Sequence, residues 1–175
     1  ALAALHAQTL IESQPFSNYV VRQEIGEGGV GNVFAGTYMP NGTPVAVKVL
    51  DPVQALRDLF LDRFQREANL HIELEHENIV AGYEVGQEGG YQYYTMDLID
   101  GVTVLEVIER RGFLECDEAL SIVLQSAYAL SYLHSMGLVH RDMKPGNIMV
   151  EPSGYARLID LGLAGKMGVE GEEAE

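Results

Sequence analysis

Four side chains crowd into two short stretches near the C-terminal end of the sequence. VHRDMKPGNIMV sets Asp142, Lys144 and Asn147 on one loop, with the lysine two and the asparagine five positions after the aspartate; LIDLGLA adds Asp160. Phosphoryl transfer to a hydroxyl needs a base beside that hydroxyl, positive charge on the moving group and oxygen ligands for magnesium. Asp142 can accept the proton, Lys144 can neutralise a γ-phosphate, and Asn147 with Asp160 can ligate Mg2+. Any one of them also suits a turn, since Asp, Asn, Pro and Gly all favour turns. The order and spacing of the whole set favour chemistry. His140 reads as a packed residue that holds the loop rather than as a general base.

A second group lies near the start. IGEGGVGNV places Gly26, Gly28 and Gly31 in G-x-G-x-x-G spacing. A flexible turn and a dinucleotide fingerprint share those letters, and Asp51 stands roughly where a ribose-binding acid would be sought. The dinucleotide reading needs a helix at the glycines. Here Val33 and Phe34 continue in strand fashion, so a hairpin closing over phosphates fits better. Lys48 sits inside the apolar run VAVKVL. Val45, Val47 and Val49 point one way, and Ala46, Lys48 and Leu50 the other. A lysine there snorkels from an edge strand or aims its ammonium at phosphate oxygens. The second role needs an orienting carboxylate, and Glu67 on the following helical segment is the best candidate. His71, four residues on, shares its face.

The elements that carry these residues follow from pattern. Tyr19 to Leu50 reads as a three-strand meander, with Met39-Pro40-Asn41-Gly42 as a turn whose Asn-Gly supplies positive φ angles. Ala55 to Leu74 has helical spacing. Asn78 to Val85 and Tyr91 to Leu98 are strand candidates around Gly86–Gly90. Asp100-Gly101 breaks the chain. A short helix over Val104–Arg110 and a long one over Asp117–Ser135 follow, with Asp117 as N-cap. His140 to Val150 is a loop with an apolar exit, and Ala156 to Ile159 a short strand. The long helix carries apolar residues nearly all round, which calls for neighbours on several sides.

Composition narrows the class. The formal charge is −15, from 11 Lys+Arg against 26 Asp+Glu, which argues against a nucleic-acid binder, since such a protein needs a basic surface. Hydrophobic residues make up 47% of the 175, enough for a real core. Cys116 is the single cysteine, so an internal disulfide is impossible and a reducing compartment fits. The apolar stretch Leu120–Leu133 is too short and too polar to span a bilayer. The start, ALAALHAQTLIE, reads as a short helix or linker and a poor secretory signal. His6, His71, His76 and His134 show no metal-ligand spacing.

In order, IGEGGVGNV, VAVK, the helix with Glu67, HENIV, Met96-Asp97-Leu98, HRDMKPGN and DLG resemble the eukaryotic-type protein kinases, in texture most like bacterial serine/threonine members. The resemblance runs from Tyr19 to Gly165. It implies an α+β, two-lobe fold: an extension over 1–18, a β-rich ATP-binding lobe with one main helix over 19–98, and the first part of a helical lobe over 99–175. It further implies ATP with Mg2+ in a cleft between Gly28 and Met149, and a Lys48–Glu67 ion pair. Ile25, Val33, Ala46 and Met149 would sandwich the adenine, Met96 would be the gatekeeper, and backbone groups from Asp97 through Leu98 to Ile99 would bond the adenine edge. Lys144 points to serine or threonine acceptors in protein substrates, and Arg141 to regulation through an activation segment. A cytoplasmic location is implied, with any membrane anchor outside this chain.

Departures from the family pattern set further expectations. DLG replaces DFG, with Leu161 as the apolar plug. His71 and Gly82 stand where apolar residues usually join helix and sheet, which suggests a loosely held Glu67 helix. No A-P-E-like motif and no Ser or Thr follows Ser153, so residues 1–175 alone are expected to be poorly stable and nearly inactive on peptides. Two other readings compete. A small-molecule phosphotransferase of the aminoglycoside-kinase type fits Pro145-Gly146-Asn147 but not Arg141 and Lys144. A non-catalytic ATP-binding module is the other.

Overall fold

A computed structural model describes residues 18–28, 31–50 and 53–166. The N-terminal extension through residue 17, Asp51 and the acidic end from residue 167 lie outside the described residues. By contact the chain divides into two units. Unit one holds residues up to Leu74 together with Ala81–Ile99, and unit two holds Glu75–Val80 together with the chain from Asp100 onward.

Unit one is an antiparallel sheet with one helix. Its strands are β1 (Tyr19–Gly28), β2 (Gly31–Tyr38), β3 (Thr43–Leu50), β4 (Gly82–Glu88) and β5 (Tyr91–Asp97), in the order β1-β2-β3-β5-β4. The sequence predicts the meander, and alternation explains its packing: Val45, Val47 and Val49 join Tyr19, Val21, Phe34 and Tyr93 in one buried cluster. The β2–β3 turn differs in detail. Gly42 alone takes a positive φ, +76°, while Asn41 serves through its side chain, whose Oδ1 accepts the Thr43 N–H at 3.0 Å. The helical stretch expected from Ala55 opens as a 3₁₀ turn, Gln54–Leu56, and then becomes α1 (Asp58–Glu73).

Helix α1 is held closely, against the expectation of a loose fit. Phe64, Ala68 and His71 are fully buried. Phe64 meets the Tyr94 ring at 5.2 Å, and His71 stacks on the same ring at 6.0 Å. Gly82 makes the room: a Cβ there would lie 2.9 Å from both the carbonyl carbon and the Cβ of His71. The histidine and the glycine that depart from the family pattern are thus complementary, a bulkier helix residue facing a strand residue without a side chain.

Unit two begins with a segment that sequence spacing assigns to a strand with β4. Only Gly82 onward joins that sheet. Residues 75–80 instead run beside β9 (Ala156–Leu158): Ile79 bridges Leu158 in parallel, and the Leu158 N–H donates to the Asn78 carbonyl at 2.9 Å. The Asn78 side chain explains the split, since its buried amide donates to Ala156 O at 2.8 Å and Gln125 Oε1 at 3.2 Å. Next come β6 (Val102–Thr103), α2 (Val104–Arg111), α3 (Cys116–Ser135), β7 (Leu138–Val139), β8 (Ile148–Val150), β9 and β10 (Gly165–Lys166). Thr103 and Glu106 form a capping box on α2, and Gly112 ends it at φ +83°. Asp117 is not the N-cap of α3. Glu115 holds that position without a side-chain bond, and Asp117 lies in the first turn, where a carboxylate favours the positive end of the helix. Leu120, Val123, Leu124 and Tyr128 of α3 are exposed, while Ile122, Ala129 and Leu133 are buried. No helix among the described residues is long and apolar enough to cross a membrane.

Gly82→Ala tests the helix–sheet fit. The clash is with helix backbone that cannot swing aside, so we expect a loss of about 1–3 kcal/mol of unfolding free energy, in the range of overpacked cores. Denaturant titration of the two proteins measures it, and an unchanged midpoint would show that α1 has slack.

Candidate active site

Unit one carries a buried ion pair. Lys48 lies on β3, flanked by β2 and β5, so it is not an edge residue that can snorkel to water. Its Nζ is 2.6 Å from Glu67 Oε1, with the residues 7% and 1% exposed. The Tyr94 hydroxyl donates to the same oxygen at 2.7 Å, and the Tyr94 ring lies 5.8 Å from the ammonium. Tyr94 is the partner that sequence reading missed. Its register opposite Lys48 on β5 is a signal that strand pairing could have supplied. An ammonium has three donors, and among the described residues Lys48 spends only one, on Glu67. Buried donors call for acceptors, and phosphate oxygens would satisfy them.

The glycines divide by cause. A Cβ on Gly31 would sit 2.2 Å from the Val49 carbonyl oxygen, so close strand packing alone demands glycine there. At Gly26 a Cβ would meet nothing within 4 Å among the described residues, so packing there does not require glycine. Gly28 pairs with Gly31 at the last position of the β1–β2 ladder, next to the connection between the two strands. Ala46 and Met96 are buried and directly opposed on β3 and β5, Val33 is half-buried, and Ile25 is exposed. The Asp97 N–H is spent on the Ala81 carbonyl at 2.9 Å, which leaves the N–H groups of Leu98 and Ile99 without a bond among the described residues.

Unit two carries the second group of predicted residues. Asp142 Oδ2 takes Lys144 Nζ at 2.7 Å and Asn147 Nδ2 at 3.0 Å, and the same amide nitrogen reaches the Asp142 carbonyl at 2.8 Å. The Lys144 hydrogen bond, with help from Asn147, holds the Asp142 carboxyl below the ordinary carboxylate range. Asp142 Oδ1 makes no hydrogen bond among the described residues, and neither does Asn147 Oδ1. Asp160 Oδ1 accepts the Gly162 N–H at 2.8 Å, which orients the carboxylate, and the fully buried Leu161 anchors the turn. One amide oxygen and one carboxylate are hard ligands of the kind magnesium takes alongside water and phosphate. Met149 is half-buried on β8.

The loop is braced from behind. Buried His140 accepts the Asp142 N–H on Nδ1 at 3.3 Å, and burial pushes its pKa below the usual histidine value, so it is a neutral support. Arg141 has φ +64°, the one positive value at a non-glycine among the described residues. Such a conformation costs on the order of 1–3 kcal/mol. It is offset where the guanidinium donates to the Lys166 carbonyl at 3.1 Å and β7 pairs with β10. A Cβ on Gly165 would lie 3.0 Å from Arg141 Nη1, so that glycine makes room for the arginine.

The ion pair yields a sharp expectation. Lys48→Met strands the Glu67 carboxylate in the core and should cost about 3–5 kcal/mol, the range for breaking one side of a buried pair. The double variant Lys48→Met, Glu67→Gln removes the charge, keeps an acceptor for Tyr94, and should cost less than the single one. Urea denaturation of the three proteins measures this, and a double variant less stable than the single would refute it.

Comparison with known proteins agrees with this geometry. The protein kinase domain model matches residues 19–174. The chain is 39% identical over 148 residues to the probable serine/threonine-protein kinase PknB of Lactococcus lactis, covering 83% of the chain and 23% of that protein. It is 36% identical to the serine/threonine-protein kinase PrkC of Bacillus subtilis over 89% of the chain and 24% of the relative. To PknL of Mycobacterium tuberculosis it is 35% identical over 84% of the chain and 37% of the relative. The chain thus spans about a quarter to a third of the length of these relatives. With a buried lysine–glutamate pair, a glycine-bearing hairpin and an Asp-x-Lys-x-x-Asn loop, the chain belongs to the protein kinase domain family and is similar to bacterial serine/threonine kinases.

Proposed function

We propose that this domain transfers the γ-phosphoryl group of ATP to a serine or threonine hydroxyl of a protein. The observation that carries the reading is the state of Asp142: one carboxylate oxygen is pinned by Lys144 and Asn147, and the other makes no hydrogen bond among the described residues, on a side chain that is 30% exposed. Bound ATP with Mg2+ would supply the phosphoryl group and part of the charge neutralisation. Asp142 Oδ1 would take the acceptor's proton. Lys144 would offset charge on the transferring group. Asn147 Oδ1 and Asp160 would hold the metal. In unit one, the two unspent Lys48 donors would meet phosphate oxygens, with Gly26 and Gly28 leaving the backbone open to them. Ile25, Val33, Ala46 and Met149 would contact the adenine, and Leu98 and Ile99 would bond its edge beside Met96. Lys144 and the serine/threonine class of the similar bacterial kinases favour serine or threonine over tyrosine. The exposed free thiol of Cys116 fits a reducing, cytoplasmic setting for this domain.

Asp142→Asn should lower phosphoryl transfer on the order of a hundredfold or more, as for loss of a positioned base, with nucleotide affinity nearly unchanged. Radiolabel transfer from ATP to a Ser/Thr acceptor protein, with calorimetric nucleotide binding in parallel, checks both halves; retained turnover would overturn the assignment. Calorimetry of Lys48→Met, Asp160→Ala should show weakened binding of ATP with Mg2+.

The pH profile carries a separate expectation. The Lys144 hydrogen bond is the main cause that lowers the Asp142 pKa, so the carboxylate stays ionised to lower pH than an ordinary aspartate. Removing that bond in Lys144→Met should move the acid limb of kcat/KM to higher pH, since that limb reports free-enzyme groups. A limb that stays in place would show that another group sets it.

A further inference from the structure

Strand β4 carries one residue more than its partner at the edge of the unit-one sheet. Its ladder with β5 pairs Gly82 with Met96 and Glu84 with Thr95, so Tyr83 is the inserted, bulged residue. The insertion has a cause. A Cβ on Gly82 would fall against His71 of α1, on the face of the sheet that also carries Lys48 and its partner Glu67. Glu84 instead accepts the Tyr19 hydroxyl at 2.9 Å, and Tyr19 packs with Val45, Val47 and Val49 on the opposite face. Plain alternation would put residues 82 and 84 on one face. The bulge lets each serve its own, and such insertions re-aim the side chain they carry. Here the Tyr83 hydroxyl donates to Asp97 Oδ1. Asp97 is the last residue of β5, and its N–H donates to the Ala81 carbonyl at 2.9 Å. It stands opposite Val45 in the ladder with β3, on the face away from Lys48, while Ala46 and Met96 occupy the Lys48 face.

We infer that Tyr83 is a positioning residue for nucleotide: its hydroxyl holds Asp97, and through Asp97 the Leu98–Ile99 backbone, where an adenine edge can be bonded. The inference rests on the ATP-binding reading above. Leu98 and Ile99 follow Asp97 directly, past the end of the strand, and their N–H groups make no bond among the described residues. Donors that must be ordered when the ligand arrives subtract that cost from affinity, and donors already in place do not. Asp97 is fixed to the β4 side of the sheet twice, by its backbone at Ala81 and by its side chain at Tyr83. The backbone bond sets the strand end, and the side-chain bond resists its rotation. The tether acts from the face away from Lys48, so Tyr83 holds the donors without occupying the Ala46 and Met96 surface against which a base would lie.

The test is calorimetric titration of the full chain with ATP and Mg2+. Tyr83→Phe keeps the ring and removes the hydroxyl, and should weaken binding roughly three- to tenfold, the size of one net hydrogen bond. Asp97→Ala should weaken it at least as much, and adding Tyr83→Phe to it should cost little more, because both changes remove the same bond. Tyr19→Phe is the control. It removes the neighbouring bond to Glu84 on β4, leaves Asp97 tethered, and should keep the affinity of the unaltered protein. Thermal melts check that each variant folds, and Tyr83→Phe, a conservative change at an exposed position, decides the matter if Asp97→Ala does not fold. Unaltered affinity in Tyr83→Phe would overturn the inference. So would an equal loss in Tyr19→Phe, which would mark a general loosening of the sheet edge. Either outcome leaves the kinase reading intact, whereas absence of ATP binding by the unaltered protein would overturn both.

Discussion

A lysine and a glutamate that meet at 2.6 Å inside unit one set conditions that most of its packing meets. Two charges taken out of water cost several kcal/mol each unless geometry and further hydrogen bonds compensate. The compensation here is shared between sheet and helix. Lys48 comes from a central strand, Glu67 from α1, and Tyr94 from the next strand bonds the same oxygen while its ring carries Phe64 and His71. Tyr94 is therefore both hydrogen-bond donor and packing surface. A shift of α1 that broke the ion pair would also disturb those aromatic contacts. The pair and the core reinforce one another, which is why a kinase domain can keep a charge in its interior.

Unit two meets a different constraint, the placement of a half-exposed carboxylate on a loop. The solution is local strain held by distant support. Arg141 accepts an unfavourable backbone angle because its guanidinium finds a carbonyl in β10 and a glycine clears the way. His140 contributes through its neutral ring, and Asn147 ties the loop back to the Asp142 carbonyl. Substituting the residues behind the loop would shift the aspartate without touching it.

Much of this was legible in sequence, for identifiable reasons. The VAVKVL run fixed which face of β3 carries the lysine, because strand alternation has a period of two whatever the surroundings. Glu67 was selected because a buried ammonium requires a carboxylate and the next helix offers one on its apolar side. Asp142, Lys144 and Asn147 lie within six residues, so their meeting needed little long-range information. The failures share a physical cause. Asn78 looked like the start of a β4 strand, but its amide is satisfied by residues 47 and 78 positions away. His71 and Gly82 looked like defects until the partner of each proved to be the other. Tyr94 and Gly165 escaped notice because their roles are defined across strands. Spacing along the chain reports local chemistry well and reports complementarity between distant residues poorly.

The excursion of residues 75–80 has a consequence for how the chain reaches its native state. These six residues are synthesised between α1 and β4, both in unit one, yet their partner strand β9 is not made until residues 156–158. During synthesis unit one has all its strands once Ile99 has emerged, while the segment within it still lacks the neighbour that satisfies Asn78. Non-local pairings of this kind close late, because loop-closure entropy must be met before they are rewarded. Vectorial folding of this domain therefore cannot proceed as two independent blocks laid down in order. The segment between α1 and β4 waits unpaired until almost the whole described chain is available to dock it.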